Sequence, residues 1–140
     1  MYQVVIDTNV IVAALLSNRG ASHRVLRLVG DPRWRINLSV PLVFEYGQTL
    51  KRVCTGGDLG ISDIDSVVHF LCANANLRPI FFLWRPLLPD PKDDFVLELA
   101  VESRADFVLT FNARDFVGAE RFGIRVISPR EFLAIIGEAR

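Results

Sequence analysis

The sequence has little cysteine, no charge imbalance and no long apolar run. Each shortage removes a class of protein. Two cysteines in 140 residues, Cys54 and Cys72, are too few and too scattered for a disulfide framework or a zinc site. Two free thiols fit a reducing compartment and point to the cytoplasm. Sixteen basic residues balance sixteen acidic ones. Without a broad basic field, a module that only grips nucleic acid is disfavoured, while an enzyme touching a few phosphates is not. No apolar stretch reaches the roughly 18 residues of a membrane span. Gln3 to Leu16 is interrupted by Asp7-Thr8-Asn9, and Ile80 to Leu88 is too short. The opening residues carry no basic segment with a cleavage site and read directly as a strand, so no signal peptide is expected.

What the chain does have is a large apolar share, 51% of residues, with mean hydropathy +0.30. That argues against disorder and for one domain spanning residues 1–140 with a real core. Gln3–Ile6 is a short β-branched run and reads as a central strand. Asp7-Thr8-Asn9 forms a cap-like trio before a helix beginning at Val10. Further helices are expected over 22–29, 40–53, 63–75 and 94–104, with strands over 34–38, 106–110 and 124–127. Ser39 caps the third helix, with Pro41 in its first turn. Ser128-Pro129-Arg130-Glu131 spells a capping box ahead of Phe132–Ile136. Ile80–Trp84 is apolar but ambiguous, and Arg85–Asp93, with three prolines, reads as an extended connector. Strands alternating with helices imply an α/β sandwich with a mostly parallel central sheet.

In such folds, sites form at the carboxyl ends of the strands. Asp7 ends the first strand. Glu45 lies early in the helix after the second, at the border of an apolar face made by Leu42, Val43, Tyr46, Leu50 and Val53. Asp94 begins the helix before the Phe107 strand, and Asn112 and Asp115 follow that strand. Four carboxylates at one edge repel one another unless something positive lies between them. No Lys or Arg adjoins Asp7 or Glu45, and His23 and His69 sit on unrelated helices, where structural or surface roles suffice. Oxygen-only ligands suit Mg²⁺ or Mn²⁺ rather than zinc. A pair of such ions about 4 Å apart can activate water and stabilise the leaving oxygen in phosphodiester cleavage.

Each acid also has a plainer reading, a solvated helix acid for Glu45 and, with Asn112, an ordinary loop residue for Asp115. Asp7 can be only a helix cap, although Thr8 or Asn9 would serve equally well. Asp94, Glu98 and Glu102 are spaced i, i+4, i+8, the pattern of a solvated acidic stripe. Turn chemistry explains Asp90, and Asp93 competes with Asp94. Trp34 and Trp84 read as core or interface aromatics. Arg19, Arg104 and Arg114 are candidates for phosphate contacts.

Together, the segments VVIDTNVIVAALL, PLVFEYGQTL, DPKDDFVLELAVESRADFVLTFNARDF and RVISPREFL resemble a PIN domain, and more narrowly the VapC-like toxin group. The resemblance covers nearly the whole chain. It implies a compact α/β/α sandwich and Mg²⁺- or Mn²⁺-dependent endoribonuclease activity on single-stranded RNA. By position it makes Asp7, Glu45 and Asp94 the main metal-binding carboxylates, with Asp115 the fourth. Asp94 is preferred to Asp93 because its spacing to Thr110 matches the family. Thr8, Asn9 and Thr110 would support the acids through hydrogen bonds. Many members carry Thr-Gly-Asp where this chain has Thr110-Phe111-Asn112, which leaves open whether Asn112 or Asp115 completes the site. The resemblance also implies a homodimer and silencing by a small antitoxin. Two alternatives are a PIN-like binding module without catalysis and a receiver-type phosphoacceptor domain. The second lacks its Lys after the last strand, since Lys occurs only at Lys51 and Lys92.

Overall fold

The computed structural model describes residues 1–57, 59–79 and 91–138, with the backbone alone for 91–94. Five strands form one parallel sheet: β1 (Tyr2–Ile6), β2 (Trp34–Leu38), β3 (Ala75–Leu77), β4 (Phe107–Leu109) and β5 (Arg125–Ile127). Their order is β3-β2-β1-β4-β5, every neighbouring pair parallel. Val4, Val5 and Ile6 are fully buried, as a strand covered on both faces requires.

The helices are α1 (Thr8–Leu16), α2 (Ala21–Arg27), α3 (Val40–Cys54), α4 (Ile61–Ala73), α5 (Pro91–Glu102) and α6 (Pro129–Ile135). The chain steps from β1 to β2 to β3 in one direction, then crosses back to β4 and β5 in the other. Right-handed crossovers put α1 to α4 on one face and α5 on the opposite face. The result is a three-layer α/β/α sandwich. The direction reverses between β1 and β4, which opens a crevice at their carboxyl ends.

The expected elements form, with four corrections. The first helix begins at Thr8, and Asp7 itself is its cap, accepting from the Thr8 N–H at 2.8 Å. Strand β3 occupies 75–77, where the sequence shows only the end of a helix. Its Ala-Asn-Leu has no β-branched residue. The strand is specified by its partner: Ile36, Asn37 and Leu38 register with Ala75, Asn76 and Leu77. The Asn76 amide donates to Asn37 Oδ1 at 3.2 Å and to Gln3 Oε1 at 3.2 Å. The connector expected over 85–93 is helical in its last three residues, because proline is tolerated in a first helical turn. On α3 the buried stripe is Leu42, Tyr46, Leu50 and Cys54, while Val53 is exposed. The readings for Ile80–Trp84, the connector up to residue 90, Trp84 and Asp90 lie outside the described residues.

Candidate active site

Strand β1 delivers Asp7 into the crevice. Its backbone N–H continues the ladder by donating to the Leu109 carbonyl at 2.9 Å, which fixes it beside the end of β4. Its side chain is 7% exposed. One carboxylate oxygen accepts from the Thr8 N–H, and the other accepts from Thr110 Oγ1 at 2.7 Å. Capping and site geometry therefore use the same side chain, one oxygen for each.

Thr110, itself buried, is the hub. Its hydroxyl donates to Asp7 and accepts from the Asn112 N–H at 3.0 Å and from Asn9 Nδ2 at 3.4 Å. Asn9 Oδ1 accepts in turn from the Phe111 N–H at 3.4 Å. Thr8 donates its hydroxyl to Glu45 Oε2. Glu45 is half-buried at the rim of the packed face of α3, as its wheel position implies. Asp115 is also half-buried, in the one-turn 3₁₀ helix Ala113–Phe116, and its N–H donates to the Asn112 carbonyl at 2.9 Å. Asn112 enters the network through its backbone, and its side chain makes no cap for that turn.

The charges bear on Asp7. Burial is the main cause that raises its pKa above the ordinary carboxylate value, and the nearby Glu45 and Asp115 add to it. Bonds from Thr110 and the Thr8 N–H pull the other way without cancelling the rise. Among the described residues, none of Asp7, Glu45 and Asp115 forms an ion pair with Lys or Arg.

Tyr46 is a residue the sequence offered only as core. Fully buried, it donates its hydroxyl to the Ile6 carbonyl, next to Asp7, and so braces α3 against β1 beside Glu45. Burial, reinforced by the Asp7 and Glu45 charges, pushes its pKa well above the usual phenol value, which keeps it protonated as a donor.

Asp94 is on the first turn of α5, and its side chain is outside the described set, as is that of Asp93. Glu98 departs from the solvated-stripe reading: it is 3% exposed, between Leu97 and Leu99 on the helix packed against the sheet. His23 is structural, its ring nitrogen 3.0 Å from the Ala14 carbonyl, and His69 is exposed.

Among the described residues no three His, Cys, Asp or Glu side chains form a group that can hold a metal by itself. The chemistry of the described acids nonetheless fits a hard divalent cation. They are oxygen donors only, they repel one another, and no side-chain cation among the described residues offsets them. Beside them an open groove of about 600 Å³ runs along α3, past Glu45 to Arg52. Arg19, Arg104 and Arg114 do not line it.

The model of the PIN domain family matches residues 3–114. The chain belongs to the PIN domain family. The match takes in Asp7, Glu45, Asp94, Thr110 and Asn112 and ends one residue before Asp115. PIN domains are generally nucleases that use divalent metals, so a receiver domain is set aside. No curated protein matches this PIN domain in sequence. Its fold is similar to a chain in the crystal structure of VapBC2 from Rickettsia felis bound to a DNA fragment from their promoter. The TM-score is 0.60 at 13% identity, over 89% of this PIN domain and 96% of that chain. Among the described residues no helix is long and apolar enough to cross a membrane.

Proposed function

We propose that this chain, acting as a single domain over residues 1–140, is a divalent-metal-dependent endoribonuclease that cleaves single-stranded RNA, and that it is the toxin of a type II toxin–antitoxin pair in the cytoplasm. The observation that carries the reading is Asp7. It is a buried carboxylate at the point where the sheet changes direction, pressed by two further acids, with no described cation to balance them. A buried charge without a counter-charge is costly, so the arrangement stores a demand for a cation.

Asp7, Glu45, Asp94 and Asp115 would hold Mg²⁺ or Mn²⁺. A divalent ion held there would supply charge neutralisation at a scissile phosphate and lower the pKa of a bound water. The chain's own part is orientation. Thr110 and the Thr8 N–H fix both oxygens of Asp7, and Thr8 fixes one oxygen of Glu45. The Asn9 and Asn112 bonds hold Thr110 in turn. Asp7 and Glu45 are thus set before substrate arrives, which lessens the reorganisation left for the reaction. Water attacking in line would leave a 5′-phosphate and a 3′-hydroxyl. The likeness to a VapBC2 structure supports an antitoxin protein as partner; a homodimer as the active form is part of the same proposal.

The test uses a labelled single-stranded RNA incubated with wild type and Asp7→Asn, with Mn²⁺ or with chelator. Cleavage should require both the metal and Asp7. Millimolar Mn²⁺ should also raise the wild-type melting temperature and leave that of Asp7→Asn unmoved, because a ligand that binds only the folded state stabilises it. Equal cleavage by both proteins would mean contamination. Cleavage by neither would favour a binding module, and a metal-independent melting curve would remove the metal site.

A further inference from the structure

Helix α3 carries a second stripe beside its buried one. Pro41, Phe44 and Glu45, Gln48 and Thr49, and Arg52 and Val53 recur at helical spacing, and all of them face the groove. Two members of this stripe do not fit a merely solvated surface. Phe44 is 66% exposed one residue before Glu45, although a large aromatic ring gains by burial. Arg52 is exposed and forms no ion pair among the described residues, whereas the adjacent Lys51 pairs with Asp65 at 3.1 Å. Arg52 stands two helical turns from Glu45, about 10 Å along the axis. It forms no ion pair with Glu45 or the other described acids and so does not serve as the counter-charge of the acid cluster. It can meet a second negative group continuous with whatever occupies the cluster.

We propose that the α3 groove is a nucleotide subsite of the RNA-cleaving site, with Arg52 binding the phosphate next to the scissile one and Phe44 stacking on the base between them. The proposal rests on the nuclease reading above and extends it to residues outside the acid cluster. A single strand presents phosphates at regular intervals with unpaired bases between them. It is therefore bound by alternating cationic and aromatic groups. The groove offers that alternation in one line: the acid Glu45 at the cluster's edge, the ring of Phe44, the amide of Gln48, then the guanidinium of Arg52. Gln48 lines the groove and carries both amide N–H donors and a carbonyl acceptor, the groups that read a base edge. Double-stranded RNA does not fit, because its bases are unavailable for stacking. A protein partner is the competing occupant, since Phe44 also borders an apolar hollow lined by Leu38, Val43 and Leu77.

The experiment measures binding of a fluorescent single-stranded oligoribonucleotide by anisotropy, at several salt concentrations in Mg²⁺. Every protein carries Asp7→Asn, so that none cleaves. Added Phe44→Ala should weaken binding between about fivefold and about a hundredfold, the range found for loss of one stacked base. Phe44→Tyr should restore it. Added Arg52→Gln should weaken binding and reduce the slope of log affinity against log salt by about 0.7, one phosphate contact on a single strand. Arg52→Lys should keep that slope. Both positions are exposed, so melting temperatures should not move. Absence of RNA binding by the parent, or affinities untouched by both substitutions, would overturn the subsite. So would a Phe44→Ala effect confined to sedimentation, which would make the groove a protein interface. Cleavage assays with Asp7 intact separate the two readings. Lost binding without any cleavage leaves the subsite and removes the nuclease. Cleavage and binding that both ignore Phe44 and Arg52 do the reverse.

Discussion

At the scale of single residues, Thr110 carries more of the site than any acid's neighbour suggests. One hydroxyl serves Asp7, Asn9 and the Asn112 backbone at once. Thr110→Val keeps the shape and removes the oxygen. It leaves a buried carboxylate oxygen and a backbone N–H without their partner, at a cost of about 1–3 kcal/mol. The urea midpoint should fall with the slope unchanged, and RNA cleavage should fall further than the stability loss explains. Thr110→Ser should recover most of both. A Val variant as stable and active as wild type would show that Asp7 does not depend on Thr110. The sequence made Asp7 visible, because a carboxylate between Val4-Val5-Ile6 and Val10-Ile11 is anomalous. It did not make Tyr46 visible, because a phenol at a buried helix position looks like any other core residue. Glu98 misled for the opposite reason: its i, i+4, i+8 spacing with Asp94 and Glu102 describes a helix face, not how much of it is covered, and Glu98 is buried where Glu102 is exposed.

At the scale of elements, the helix caps were legible and the edge strand was not. The Ser128 hydroxyl accepts from the Glu131 N–H at 3.1 Å, and Glu131 accepts from the Ser128 N–H at 2.9 Å. That reciprocal pair is written in four consecutive residues. It fixes the start of α6, which carries Phe132 into edge-on contact with Trp34 at 5.2 Å and with Phe107 at 5.8 Å. Ser128→Ala should cost about 1 kcal/mol. In a domain of this size the melting temperature should drop by about 3–5 °C. Ser128→Gly should cost only a few tenths of a kcal/mol, because glycine is itself tolerated at a cap. An Ala variant that melts with wild type would mean the cap is not limiting. Strand β3 has no comparable local code. Ala75-Asn76-Leu77 is a strand because β2 lies beside it and Asn37 and Gln3 accept its side-chain amide.

At the scale of the whole molecule, the chain's end is tied to the start of β2. Arg33 donates to both oxygens of Asp31 at 2.9 Å, to the Ile136 carbonyl at 2.8 Å and to Glu138 at 2.9 Å. Arg24 reaches the same Glu138 at 2.9 Å. The Arg33 hydrogen bonds hold the Asp31 pKa down at about 2. A carboxylate with a depressed folded pKa stabilises the fold above its unfolded value, near 3.8. It loses that contribution as the pH falls through about 2. Wild type should therefore lose melting temperature more steeply than Asp31→Asn between pH 4 and pH 2, with the two curves parallel above pH 5. Curves parallel throughout would show that solvent already screens the pair, as it does many exposed ion pairs.

The sequence by itself determined the strand–helix alternation, the caps at Ser39 and Ser128, and the placing of the candidate acids Asp7, Glu45 and Asp115 near strand ends. These depend on periodicity and on residues within four positions of one another, which a linear string records. Only the tertiary structure decided the strand order, the crevice between β1 and β4, the bond from Thr110 to Asp7 across 103 residues, and the groove that runs from Glu45 to Arg52. Those follow from which strand packs beside which, and burial energy chooses that arrangement for the chain as a whole.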